Sequence, residues 1–206
     1  AYRAKEADAS LEAWQGDRQV LSAIGSVPID LSLAEVQRRQ VARPMDLRLV
    51  ADSLDAAVAL AYFGTLEDVV GTVSGQVRVG GTSESPEPDG IVELSAAGWL
   101  IDVLGVRHED VEGTVTLKPD RTAELDLSLS ATGRAVVTGT VTLDSISDPG
   151  LDLQFELDGF QTVQRTDIES RVSGALTLTG RYARPFVQGE LTVDEAAIFV
   201  DEFVRN

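Results

Sequence analysis

The side chains able to do chemistry in this chain are few and poorly spaced for it. His108 is the only histidine, and there is no cysteine. A hydrolytic triad or a histidine-based metal site needs partners that the sequence lacks. Thiol chemistry and disulfides are excluded outright. His108 stands beside Glu109 and Asp110 and reads as a surface or turn residue. Paired carboxylates are what glycoside hydrolysis requires. Glu124, Asp126, Asp152 and Glu156 instead fall on the polar side of alternating runs, which reads as a solvated strand face. No Asp-rich calcium loop is present, and no glycine loop opens a helix to cradle phosphate. Trp14 and Trp99 suit packing at a core or rim. The expectation is a protein without catalytic residues, cofactor or metal.

The elements around these residues alternate with period two. Val27, Ile29, Leu31 and Leu33 point one way, as do Met45, Leu47 and Leu49. In the run AELDLSLS, Ala123, Leu125, Leu127 and Leu129 oppose Glu124, Asp126, Ser128 and Ser130. About a dozen such runs, each with one apolar and one polar face, predict antiparallel sheet, because buried parallel strands read as continuous apolar runs. Turn signals separate them at Lys118-Pro119-Asp120, Asp148-Pro149-Gly150 and the Ser83 to Gly90 loop. One segment departs: Leu54, Ala57, Val58 and Ala61 are spaced for a short helix, about Leu54 to Phe63. Asp52 or Ser53 would cap its start and Gly64 its end. It is expected to cover an end or edge of the sheet.

The chain also repeats itself. Val73 to Gly90 aligns with Val172 to Gly189 without a gap, with 6 of 18 positions identical. Gly75 and Gly174, Pro86 and Pro185, and Gly90 and Gly189 are each 99 residues apart. The organisation that follows is one elongated, repeat-built segment over 1–206. It divides into a partial repeat over 1–72, a full repeat over 73–171 and the start of another over 172–206. Starting at Ala1 and stopping soon after a strand-like run, the chain reads as a piece of something longer.

Composition narrows the partners. Hydrophobic residues make up 43% of the chain and aromatics only 5%, so a fold must be built mainly from Val, Leu and Ala. A net charge of -17 argues against nucleic acid and against a plain anionic membrane surface. No run approaches the roughly 18 apolar residues of a membrane helix. Two architectures remain open: a closed sandwich, or a sheet rolled around its own apolar face into a trough. Few large residues, and glycines recurring on the apolar side, favour the trough. Its cargo would be apolar and free to slide, because Val and Leu offer no directional bonds.

Several segments resemble the TamB/AsmA-like envelope proteins, specifically the TamB-type subunit of the bacterial translocation and assembly module. They are VPIDLSL, PMDLRLVADSLD, VVGTVSGQVRVGGT, LGVRHEDVEGTVTL, DPGLDLQFELDGF and RVSGALTLTGRYARPFVQGELTVDEAAIFVDEF. The resemblance implies an all-β fold with one short helix, a long antiparallel sheet rolled into a β-taco-like groove. It implies the periplasmic part of an inner-membrane-anchored protein, with the anchor outside this chain. It implies that phospholipid acyl chains move along the groove toward the outer membrane, or alternatively that the protein scaffolds β-barrel or autotransporter assembly with an Omp85-type barrel. The groove lining would be Val77, Val79, Val115, Leu117, Leu125, Leu127, Leu129, Val137, Val141, Leu143, Leu151, Leu153, Phe155, Leu157, Leu176, Leu178, Leu191 and Val193.

Overall fold

The alternating runs pair in chain order. The computed structural model describes residues 2–3, 6–28, 43–61, 66–82, 85–145 and 147–198. Its strands are β1 (Tyr2–Arg3), β2 (Glu6–Gln15), β3 (Arg18–Val27), β4 (Asp46–Asp55), β5 (Glu67–Gly81), β6 (Pro86–Ile101), β7 (Val106–Lys118), β8 (Thr122–Ser130), β9 (Arg134–Thr142), β10 (Gly150–Gln164), β11 (Ile168–Arg181) and β12 (Arg184–Ile198). A single helical turn, α1 (Ala56–Ala59), follows β4. The strands form one antiparallel sheet in the order β1 to β12, rolled but not closed into a barrel. Among the described residues there is no second sheet to make a sandwich. At about 4.8 Å per strand the sheet runs for roughly 50 to 60 Å.

Three local expectations are corrected. The helix is one turn and not three. Leu54 pairs with Val73 in the sheet instead of joining it, and a costly first turn does not propagate against such pairing. Its cap is Asp55, whose carboxylate accepts from Ala57 N at 2.8 Å, not Asp52 or Ser53. The Ser83 to Gly90 loop is shorter, since β6 begins at Pro86. Pro86 and Pro88 are tolerated there because β6 overhangs: its pairing with β7 starts only at Gly90, so that edge needs no N–H. Ile29, Leu31, Leu33, Phe63, Gly64 and Ser83 lie outside the described residues.

The repeat has a physical account. Nine consecutive pairs, Val73 with Leu94 through Gly81 with Pro86, recur in the same register as Val172 with Val193 through Gly180 with Pro185. Val73 and Val172 are both buried. Ser74 accepts from Ser53 N at 2.9 Å, and Ser173 accepts from Gly159 N at 2.8 Å. Each serine thus satisfies an amide freed by a bulge in the preceding strand. Replacing either serine with alanine is expected to cost about 1 kcal/mol, read as a lower urea midpoint with an unchanged slope.

Those bulges lie at one level across the sheet. Register shifts separate Ala51 from Leu54, Leu94 from Ala97, Glu109 from Glu112 and Leu157 from Phe160. At each sits a residue with positive φ: Ser53, Ala96, Asp110 and Gly159. One inserted residue reverses which side chains face inward. Beyond the bulges the inward residues are therefore Ala56, Ala97, Val106, His108 and Phe160, all buried. They build an apolar cap along the rim that carries α1 and the β6–β7, β8–β9 and β10–β11 turns.

The opposite rim is polar and ion-paired. Arg78 meets Asp46 at 2.9 Å, and Arg181 meets Asp144 at 2.6 Å and Asp148 at 3.6 Å. These hydrogen-bonded guanidinium partners hold the Asp46 and Asp144 carboxyls below the usual carboxylate range. All of these groups are exposed, so the pairs fix turn geometry more than they add stability.

Candidate functional site

Residues directly opposite each other in an antiparallel pair face the same side. The register therefore traces the apolar face strand by strand. One row runs Ala51, Gly75, Val92, Val115, Leu125, Gly139, Leu153, Leu178, Val187. The next runs Leu54, Val73, Leu94, Gly113, Leu127, Val137, Phe155, Leu176, Gly189. A third runs Leu49, Val77, Gly90, Leu117, Ala123, Val141, Leu151, Gly180, Pro185. No polar side chain interrupts any of the three between β4 and β12. The adjoining row on the other face is Glu93, Thr114, Asp126, Thr138, Gln154, Thr177 and Gln188.

Of the expected lining residues, Val77, Val115, Leu117, Leu125, Leu127, Val137, Val141, Leu151, Leu153, Phe155, Leu176 and Leu178 lie in these rows. Val79 adjoins them, opposite Leu47 and Pro88. Leu191 pairs with Gly174 and Val193 with Val172, on β12, where Val193 is 61% exposed. Leu143 lies past the end of β9, its N–H donating to Arg121 O at 2.7 Å. Leu129 and Leu157 are on the same face but packed against Val106, Ala131, Ala135 and Phe160.

Most of the face is half-buried, as neighbours within one curved sheet would leave it. An apolar depression of about 150 Å³ between Leu21, Leu49, Val73, Val77 and Val92 marks its β3–β6 part. Glycines in the rows let backbones approach. Gly139 has φ +137°, and a Cβ there would strike Asp152 O. A sheet that bends this closely at glycine can roll around an aliphatic face.

His108 is a correction to the sequence reading. It is 7% exposed and stacks on Phe160, with ring centroids 5.5 Å apart and planes 9° apart. Trp99 meets it edge-on at 6.1 Å. Burial pushes its pKa below the ordinary imidazole value. Plain alternation from Val111 would turn His108 outward, and the Asp110 bulge turns it in. Phe160 likewise departs from plain alternation, because Leu157 predicts the opposite parity. Gly159 at the bulge was the available signal. Trp99 packs on this rim, while Trp14 is 59% exposed. Among the described residues no group of acidic or histidine side chains is arranged to hold a metal.

An open antiparallel meander with an unbroken aliphatic face defines a class, the repeat-built β groove. Residues 123–206 match the family model of the TamB C-terminal domain, which supports a TamB-like assignment. The match points to a segment of a TamB-type envelope protein. No curated protein and no solved structure matches the chain. No helix among the described residues is long and apolar enough to cross a membrane.

Proposed function

We propose that the apolar face is a conduit for phospholipid acyl chains between the inner and outer membranes, and that the chain is not an enzyme. The observation that carries this is the trio of rows crossing nine strands without a polar side chain. Each CH₂ withdrawn from water onto such a face gains about 0.8 kcal/mol. With no directional bond to fix a pose, an acyl chain can slide from one strand to the next. On this reading the segment lies in the periplasm, within a protein anchored in the inner membrane, and the full-length protein meets an Omp85-type barrel.

A photocrosslinker at Leu153, in the middle of the first row, tests it. Capture of acyl chains, with none from a probe at Thr138 on the other face, supports the conduit. One observation favours a second reading, a scaffold for outer-membrane β-barrel assembly. β12 is 15 residues long, its outer edge is unpaired among the described residues, and Phe186, Val187 and Val193 on it are exposed. Such an edge can add a strand. Capture of unfolded barrel strands by a probe at Val193 on β12, with no lipid captured at Leu153, would replace the first reading by the second.

A further inference from the structure

β7 and β10 are not sheet neighbours, yet they meet. The 9-residue strands β8 and β9 form a short hairpin between them, and the longer flanking strands close over its end. Gln161 N donates to Ala131 O at 3.0 Å, and Gln164 N donates to Leu104 O at 2.9 Å. Arg165 Nη1 reaches Val103 O at 3.3 Å. Beneath these bonds Val106 and Phe160 pack on Leu129 and Leu157, so this part of the apolar face is covered by the protein itself. His108 stands at the centre of the closure, between Phe160 and Trp99. Its Nδ1 is buried and has no hydrogen-bond partner among the described residues.

We propose that this closure is an acid-released clasp. With His108 neutral, the ends of β7 and β10 are held together over Leu129 and Leu157. Protonation of His108 parts them and bares those leucines. The inference concerns the fold and stands whether or not the face carries lipid.

The chemistry follows from the surroundings. A neutral imidazole can leave one nitrogen without a proton, and an apolar pocket accepts that form. An imidazolium carries N–H on both nitrogens and needs acceptors that Nδ1 does not have. On β7 itself, Arg107 and Glu109 are exposed on the other face and Asp110 lies at the bulge. Arg107 is paired with Asp68 of β5 at 2.8 Å. β6 brings Trp99 and, in its turn, Asp102. The β8–β9 hairpin brings Ser130 and Arg134. β10 brings Phe160 and Gln161, with Asp158 before the bulge. Glu169 of β11 accepts from Gln161 Nε2 at 3.1 Å. No carboxylate among them hydrogen-bonds Nδ1.

The sign is fixed by linkage. Once the clasp opens, His108 regains the solvated pKa of about 6.5, above its value in the closed state. The open state therefore binds more protons as the pH falls through that value. Closure is at full strength above it, weakens below it, and levels off beneath the closed-state pKa.

Amide hydrogen exchange on the chain, compared between about pH 7.5 and about pH 5, reads the clasp directly. Each rate is divided by that of the same amide in an unstructured peptide at the same pH. The Gln161 and Gln164 amides should lose protection on acidification, by up to about thirtyfold at pH 5, the limit set by a solvated imidazole pKa of about 6.5. Thr138 and Gln154, in the middle of β9 and β10, should not change. His108→Phe and His108→Gln should both abolish the pH dependence, the first filling the site between Phe160 and Trp99 with an apolar ring and the second keeping a polar side chain that does not titrate. Unchanged protection of Gln161 and Gln164 at pH 5, or a His108→Gln chain that keeps the parent's response, overturns the proposal.

Discussion

A Gly139→Val chain is expected to lose the cooperative fold of β8 to β10. Gly139 holds φ at +137°, where a β-branched residue is strained. The added Cβ would also strike Asp152 O and lie 2.8 Å from Leu153 Cα. Both obstacles are backbone, so relief requires parting β9 from β10. Gly139 stands opposite Leu125 on one side and Leu153 on the other, so parting the ladder also breaks the first aliphatic row. Strain and lost pairing together should cost about 3 to 5 kcal/mol, read from urea unfolding followed by far-UV circular dichroism. Gly16→Ala is the control. That glycine has φ +62° but open space around its Cβ position, so only the conformational penalty of about 1 kcal/mol should appear. A Gly139→Val chain as stable as Gly16→Ala would mean that the sheet does not bend where the glycines place it.

The same residues show how much could be read before any fold was seen. Leu125, Leu127, Val137, Val141, Leu153 and Leu178 reveal their common face by alternation alone, because period two survives through the middle of every strand. Register was not legible, since nothing in one strand says which residue of the next stands opposite. The repeat came closest: Gly75 and Gly90 recur 99 residues on as Gly174 and Gly189 in the same pairing. The rim was hidden for a definite reason. Asp110, Ala96 and Gly159 each insert one residue, and every side chain beyond them changes face. His108 then reads as outward and is inward, and Phe160 the same. The short helix failed through competition, because Leu54 has both helical spacing and a partner in Val73, and the sheet took it.

Replacing Leu127 with aspartate is expected to abolish lipid retention while leaving the sheet folded, and the two halves of that outcome depend on each other. Leu127 occupies the second row, opposite Gly113 and Val137, and is only half-buried. In a closed sandwich a carboxylate there would lose its water, and the sheet would have to open or the group would have to be protonated. On an open face the carboxylate stays hydrated, and the fold loses only the leucine's partial burial, about 1 to 2 kcal/mol. A hydrated charge nevertheless interrupts all that an acyl chain gains there. If two or three CH₂ groups forfeit their contact, about 2 kcal/mol is lost, some thirtyfold in occupancy at that point. Val141→Asp should act alike from the third row, and Thr138→Asp, on the other face of the adjoining strand, should do nothing. Lipid phosphate co-purifying with each variant measures retention, and thermal unfolding measures the fold. In cells, outer-membrane lipid delivery by the protein that carries this segment should fail with Leu127→Asp and persist with Thr138→Asp. A folded Leu127→Asp chain that retains and delivers lipid normally would remove the aliphatic rows from the transport path.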